Sequence, residues 1–180
     1  MTEGAALRAF LAVPLSVEMK DRYGQIYGGV ASRFRGLRWV RPENLHVTIA
    51  FLGGRPAADV DGILGAVRGA ADGMRAPTLA PVRYRETRSV GMLVFADEER
   101  RAGALAERVF TRLEEVGVYE REQRKWLPHL TVLRFRRAPR LAPPLPDLGQ
   151  VSPSELALYH SVLRPGGAQY EIVESVALGG

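Results

Sequence analysis

The chain contains no cysteine, which excludes both disulfide staples and thiolate metal ligands. Lysine is nearly missing: Lys20 and Lys125 are the only two among 25 basic residues. Histidine is also scarce, with three in all, His46, His129 and His160. The longest apolar stretch near the start, Ala9 to Val13, is cut by Pro14 and is far too short to span a bilayer. No Gly-rich loop ending in lysine, of the kind that cradles nucleotide phosphates, is present. These absences leave one soluble domain over residues 1–180, expected to be cytoplasmic, monomeric and without a cofactor.

What is present is ordinary globular composition, 46% hydrophobic and 25% charged, with a formal net charge of +5. The whole excess lies in residues 1–90, and the second half is neutral. Nearly all of it is arginine, whose planar fork suits phosphate. Charge of this size permits a nucleic-acid partner without establishing one. Three arginine clusters stand out: Arg33-Arg35-Arg38-Arg41, Arg83-Arg85-Arg88 and Arg134-Arg136-Arg137-Arg140. Each reads either as a solvated face or as part of a basic rim for an RNA backbone.

Patterning predicts alternating strands and helices. Leu7 to Val13 reads as a strand ended by Pro14. Ser16 sits at an N-cap position before a helix whose stripe is Val17, Tyr23, Ile26, Tyr27, Val30 and Phe34. A strand follows from about Leu45 to Leu52, stopping at Gly53-Gly54. A second helix follows Pro56, with Val60, Ile63, Leu64 and Val67 on one face. Pro77–Thr87 and Val90–Ala96 read as a hairpin. Asp97-Glu98-Glu99 is expected to open a third helix with the stripe Leu105, Val109, Leu113 and Val116, stopped by Gly117. A strand from Leu130 to Phe135, a proline-rich loop over 139–153, and strands near 155–163 and 170–178 complete the chain. Trp39 and Trp126 are read as core.

An internal echo organises the rest. His46-Val47-Thr48-Ile49 and His129-Leu130-Thr131-Val132 share the pattern His-apolar-Thr-apolar, 83 residues apart. Both segments are apolar and β-branched, as strands are. On a strand, i and i+2 face the same way. His46 and Thr48 therefore share one face, with Val47, Ile49 and Phe51 expected in the core. His129 and Thr131 share a face in the same manner. If two similar halves pack about a pseudo-twofold axis, two imidazoles and two hydroxyls converge on one cleft. His160 has no such context and reads as structural or solvent-facing.

That set of groups suits the opening of a five-membered cyclic phosphate. Water attacks phosphorus in line with the departing ribose oxygen. One imidazole takes the water's proton, and the other protonates the leaving oxygen from the opposite side. Hydroxyls or an arginine can hold the charge that builds on the non-bridging oxygens. The scheme needs no metal, and the sequence offers no carboxylate–histidine cluster to hold one.

Around the echo, longer motifs are Asn44-Leu45-His46-Val47-Thr48-Ile49-Ala50-Phe51-Leu52-Gly53 and Trp126-Leu127-Pro128-His129-Leu130-Thr131-Val132-Leu133-Arg134. With the opening Arg8-Ala9-Phe10-Leu11-Ala12-Val13 and a weaker tail match at Leu158–Leu163, Gly167 and Tyr170, the chain resembles the two-histidine phosphoesterase superfamily. More narrowly it resembles the RNA 2′,3′-cyclic phosphodiesterase (2′-5′ RNA ligase) family. The resemblance implies an α+β fold of two pseudo-symmetric lobes, with antiparallel sheets lining a central cleft and helices outside. It implies hydrolysis of a terminal 2′,3′-cyclic phosphate on RNA, tRNA fragments included, to a 2′-phosphate, and ATP-independent 2′-5′ joining of tRNA halves. It makes His46 the general acid to O3′ and His129 the general base to water, with Thr48, Thr131 and Arg134 on the phosphate. Strict pleating would turn Arg134 away from His129, so that role requires a bulge, a strand end or a long side chain reaching round. Arg8, Phe10 and Arg124 are candidate RNA contacts, Phe10 with the rival reading of a core residue.

Three other functions fit parts of this pattern. The same chemistry could act on a small cyclic nucleotide or on ADP-ribose 1″,2″-cyclic phosphate. The cleft could serve a non-catalytic RNA-binding module, or a metal-dependent hydrolase. Loss of function on His46→Ala separates enzyme from binder, and sensitivity to chelator separates out the metal enzyme.

Overall fold

A computed structural model describes residues 6–179. Leu7–Pro14 (β1) leads into Val17–Ser32 (α1), capped as expected by the Ser16 hydroxyl, which accepts from the Met19 amide. Arg38–Trp39 (β2) and a 3₁₀ turn at Pro42–Asn44 precede His46–Arg55 (β3). A second 3₁₀ turn, Ala57–Asp59, opens into Val60–Ala71 (α2). The hairpin Ala80–Glu86 (β4) and Val90–Ala96 (β5) leads to Arg101–Glu115 (α3). His129–Arg134 (β6), Glu155–Arg164 (β7) and Gly167–Ala177 (β8) end the fold.

The eight strands form one open antiparallel sheet in the order β4-β5-β6-β3-β1-β7-β8, with β2 added beside β6. Two halves of this sheet meet where β3 pairs β6 through Val47 and Leu130. One face carries the main core: Leu11, Val13, Val47, Leu93, Leu130, Leu133 and Leu158 pack against Tyr23, Ile63, Leu105 and Val109 of the three helices. The opposite face is left open as the cleft. This is the α+β, helices-outside arrangement expected from the sequence. No helix among the described residues is long and apolar enough to cross a membrane.

Several local expectations are corrected. β3 runs through Gly53-Gly54 to Arg55 rather than stopping there, and Gly53 adopts φ 69° within it. α3 begins at Arg101, not at the acidic triplet; Asp97 caps it from outside, accepting from the Ala102 and Gly103 amides at 3.2 and 2.7 Å. Val17, Phe34 and Val116, placed on helix stripes by spacing, are exposed at helix ends, where no sheet surface covers them. Trp39 is 41% exposed rather than core, because its two-residue strand lies at the rim of the sheet.

Candidate active site

Each histidine begins its strand and is fixed by the same local bond. His46 Nδ1 lies 2.8 Å from the Asn44 carbonyl, and His129 Nδ1 lies 2.9 Å from the Leu127 carbonyl. A carbonyl can only accept, so Nδ1 carries the proton and donates in both rings. That leaves Nε2 of each ring free to take or give a proton. The equivalence of the two bonds follows from the equivalence of the two strand starts.

Pairing then brings the motifs together. Antiparallel register about Val47 and Leu130 sets His46 opposite Thr131 and Thr48 opposite His129. All four line one cleft of about 1310 Å³, together with Arg8, Phe51, Arg134 and Tyr170. Arg134 reaches it through a bulge. β5 pairs Gly91 with Leu133 but Met92 with Thr131, so Val132 is an extra residue. The extra residue resets the alternation, sending Leu133 into the core and Arg134 to the cleft.

β3 has its own bulge at the matching place. Leu11 pairs with Ala50 and Ala12 with Thr48, leaving Ile49 extra. Ile49 and Val132 are themselves 83 residues apart, so the echo extends to the bulges. The consequence corrects the sequence reading of Phe51. Instead of pointing into the core it is 69% exposed and lines the cleft, as the counterpart of Arg134 in the other half.

The two imidazoles sit in different surroundings. His46 is enclosed by Phe10, Tyr170 and Tyr159, with ring centroids 4.8, 5.3 and 5.8 Å away. Phe10 itself is stacked on Tyr159, is only 3% exposed, and lies at the floor of the cleft beside the imidazole. It belongs to a small second apolar cluster with Ala12, Ala157 and Tyr159. The Asn44 side chain donates to the Ala168 carbonyl at 3.1 Å, tying the β7–β8 hairpin to the segment that holds His46. Burial lowers the pKa of His46 to about 4, against the opposing Asn44 carbonyl bond and with help from the charges of Lys20, Arg134 and His129.

The model for LigT-like phosphoesterases matches residues 13–83. The RNA 2′,3′-cyclic phosphodiesterase of Thermus thermophilus is 31% identical, over 97% of this chain and 91% of that protein. The chain belongs to the LigT-like phosphoesterase family. The RNA 2′,3′-cyclic phosphodiesterase of Methanothermobacter thermautotrophicus is 29% identical, over 93% of this chain and 97% of its own. Escherichia coli LigT, in a crystal structure complexed with 3′-AMP, superposes with a TM-score of 0.80 at 26% identity, covering 97% of this chain and 99% of that one.

Within this LigT-like protein the remaining sequence candidates separate. Arg8 lines the cleft from β1. Arg124 does not: it lies in the loop before β6, 83% exposed, paired with Glu122 at 2.7 Å. Trp126 is packed against the main core, as expected, and its indole donates to the Thr48 carbonyl at 3.1 Å. His160 pairs with Ala9, whose side chain faces the main core, so it stands on the opposite side of the sheet from the cleft. Among the described residues no group of three metal-ligating side chains gathers anywhere.

The low pKa of His46 makes stability in acid a direct readout of its burial. The unfolded chain binds the proton near pH 6.5, and the folded chain only near pH 4. Between these values the unfolded state holds more protons, so unfolding becomes easier as pH falls. Denaturant unfolding at pH 7 and pH 4.5 is expected to show a loss roughly 2 kcal/mol larger in the wild type than in His46→Gln. Equal losses would show that His46 is not held neutral by the fold.

Proposed function

We propose that this enzyme hydrolyses a 2′,3′-cyclic phosphate at the end of an RNA to a 2′-phosphate. The observation that carries this reading is the matched pair of imidazoles. Each is pinned through Nδ1, each presents Nε2, and each is opposite the other motif's threonine. Water attacks phosphorus and gives a proton to His129 Nε2. The P–O3′ bond breaks, and O3′ takes a proton from His46 Nε2. Thr48, Thr131 and Arg134 bind the non-bridging oxygens. The relatives in Thermus and Methanothermobacter carry the name of this reaction.

The acid role of His46 depends on the substrate. Free, the ring is neutral at physiological pH. An anionic phosphate beside it favours the protonated form, so the charge of the substrate arms the acid. The open ring of Phe51 gives the terminal base a stacking surface. With the 5′-hydroxyl of a second RNA in place of water, the same groups would form a P–O5′ bond as the P–O3′ bond breaks, joining the ends through a 2′-5′ linkage without ATP. The cleft exceeds the roughly 300–1,000 Å³ usual for small-molecule sites, which favours an RNA end over a free cyclic nucleotide.

Phosphatase sensitivity tests the reading. A cyclic end resists a phosphomonoesterase, and an opened end does not. RNA with a cyclic end, incubated with the enzyme in EDTA and without ATP, is expected to become phosphatase-sensitive. RNA that remains resistant would refute the proposal.

A further inference from the structure

The two halves of the cleft echo one another in backbone but not in chemistry. The half built from β1, β3, β7 and β8 presents Phe10, Phe51, Tyr159 and Tyr170 around His46. The half built from β2, β4, β5 and β6 presents arginine. Arg38 is the strand partner of Arg134, so the two side chains are neighbours on one face. Arg85 pairs with Met92, which pairs with Thr131; Arg83 pairs with Val94, which pairs with His129. Partners across a ladder share a face. Arg83 and Arg85 therefore stand on the face of His129 and Thr131, two strands or roughly 10 Å away.

Burial agrees with this placement. Tyr84, Leu93 and Phe95 of the same two strands pack on the helix-covered core, whereas Met92 and Val94, also buried, stay outside it, under the arginine side of the sheet. Arg83 and Arg85 are exposed. Among the described residues none of Arg38, Arg83, Arg85 and Arg134 forms an ion pair. Like charges set side by side repel, and no carboxylate relieves them. A polyanion would.

We propose that this arginine face binds the phosphodiester backbone of the strand leading to the cyclic end, with Arg83 and Arg85 as its outer contacts. The inference rests on the RNA phosphodiesterase reading and adds a polarity to it. The terminal base lies on the aromatic half, and the preceding phosphates cross β5 toward β4.

The test uses two substrates, a nucleoside 2′,3′-cyclic phosphate and a single-stranded decanucleotide with a cyclic end. The mononucleotide is too short to reach β4. In the double variant Arg83→Gln, Arg85→Gln, KM for the decanucleotide at about 0.1 M salt is expected to rise about tenfold, with kcat kept. The salt slope of log affinity is expected to shrink by about 1.4, for two phosphate contacts on a single strand. Mononucleotide kinetics are expected to stay as in the wild type. A control variant, Arg22→Gln with Arg112→Gln, removes equal charge from α1 and α3 on the helix side of the sheet and is expected to change neither substrate. Unchanged decanucleotide KM and slope in the first variant would overturn the proposal, as would an equal effect in the control. A wild type that opens neither substrate would instead refute the phosphodiesterase reading. Binding of the decanucleotide, followed by fluorescence anisotropy, would then still decide whether Arg83 and Arg85 hold RNA.

Discussion

Replacing either His46 or His129 by alanine is expected to lower kcat on a cyclic-ended RNA by about 10²–10⁴-fold, with little change in KM. The size follows from the division of labour. Each imidazole has one proton to move, and nothing beside it can substitute. Thr48 and Thr131 are neutral hydroxyls, and the Arg134 guanidinium is a donor with no acceptor site for a proton. The two losses separate when the leaving group changes. An aryl phosphodiester expels a phenolate that needs no proton, so the variant lacking the acid recovers on it and the variant lacking the base does not. Recovery by His46→Ala alone would assign His46 as the acid. Recovery by His129→Ala alone would make His129 the acid and His46 the base. Such a reversal would fit the burial that holds His46 neutral in the free protein.

Arg134→Gln is expected to lower kcat/KM by about 10²-fold, while Arg134→Lys restores only part of it. A charged donor aimed at the developing phosphorane charge contributes on that scale, and lysine keeps the charge but loses the two-pronged geometry. The bulge at Val132 is what puts the guanidinium there. Arg134 also opposes protonation of His46. In Arg134→Gln the His46 imidazole resonance is therefore expected to titrate at a higher pH than in the wild type. A variant with full activity would remove Arg134 from the phosphate site.

Much of this site is legible in the sequence because it is written twice. The repeated His-x-Thr pattern locates both strands and the residues facing the cleft, and the extended motifs point to the family. What cannot be read is parity. A single inserted residue in a strand reverses every side chain beyond it, and neither Ile49 nor Val132 differs in type from an ordinary core position. That is why alternation alone sends Phe51 to the core and turns Arg134 away from the cleft. Phe10 is ambiguous for a related reason. The second small cluster, Phe10 with Ala12, Ala157 and Tyr159, depends on β1 lying beside β7, a pairing between segments near opposite ends of the chain. β2 escapes a pattern search because two residues give no period, although it is what sets Arg38 beside Arg134. Arg124 shows the opposite error, since closeness in sequence to His129 does not place it in the cleft.

The position of the product phosphate tests the central claim most directly. A short RNA with a 2′,3′-cyclic end, turned over in EDTA and followed by ³¹P NMR, is expected to give a single 2′-phosphomonoester with the intact enzyme and, over the time the intact enzyme needs to finish, to stay almost wholly cyclic with His46→Ala or His129→Ala. A 3′-phosphomonoester, or equal conversion by the intact protein and both variants, would contradict the account.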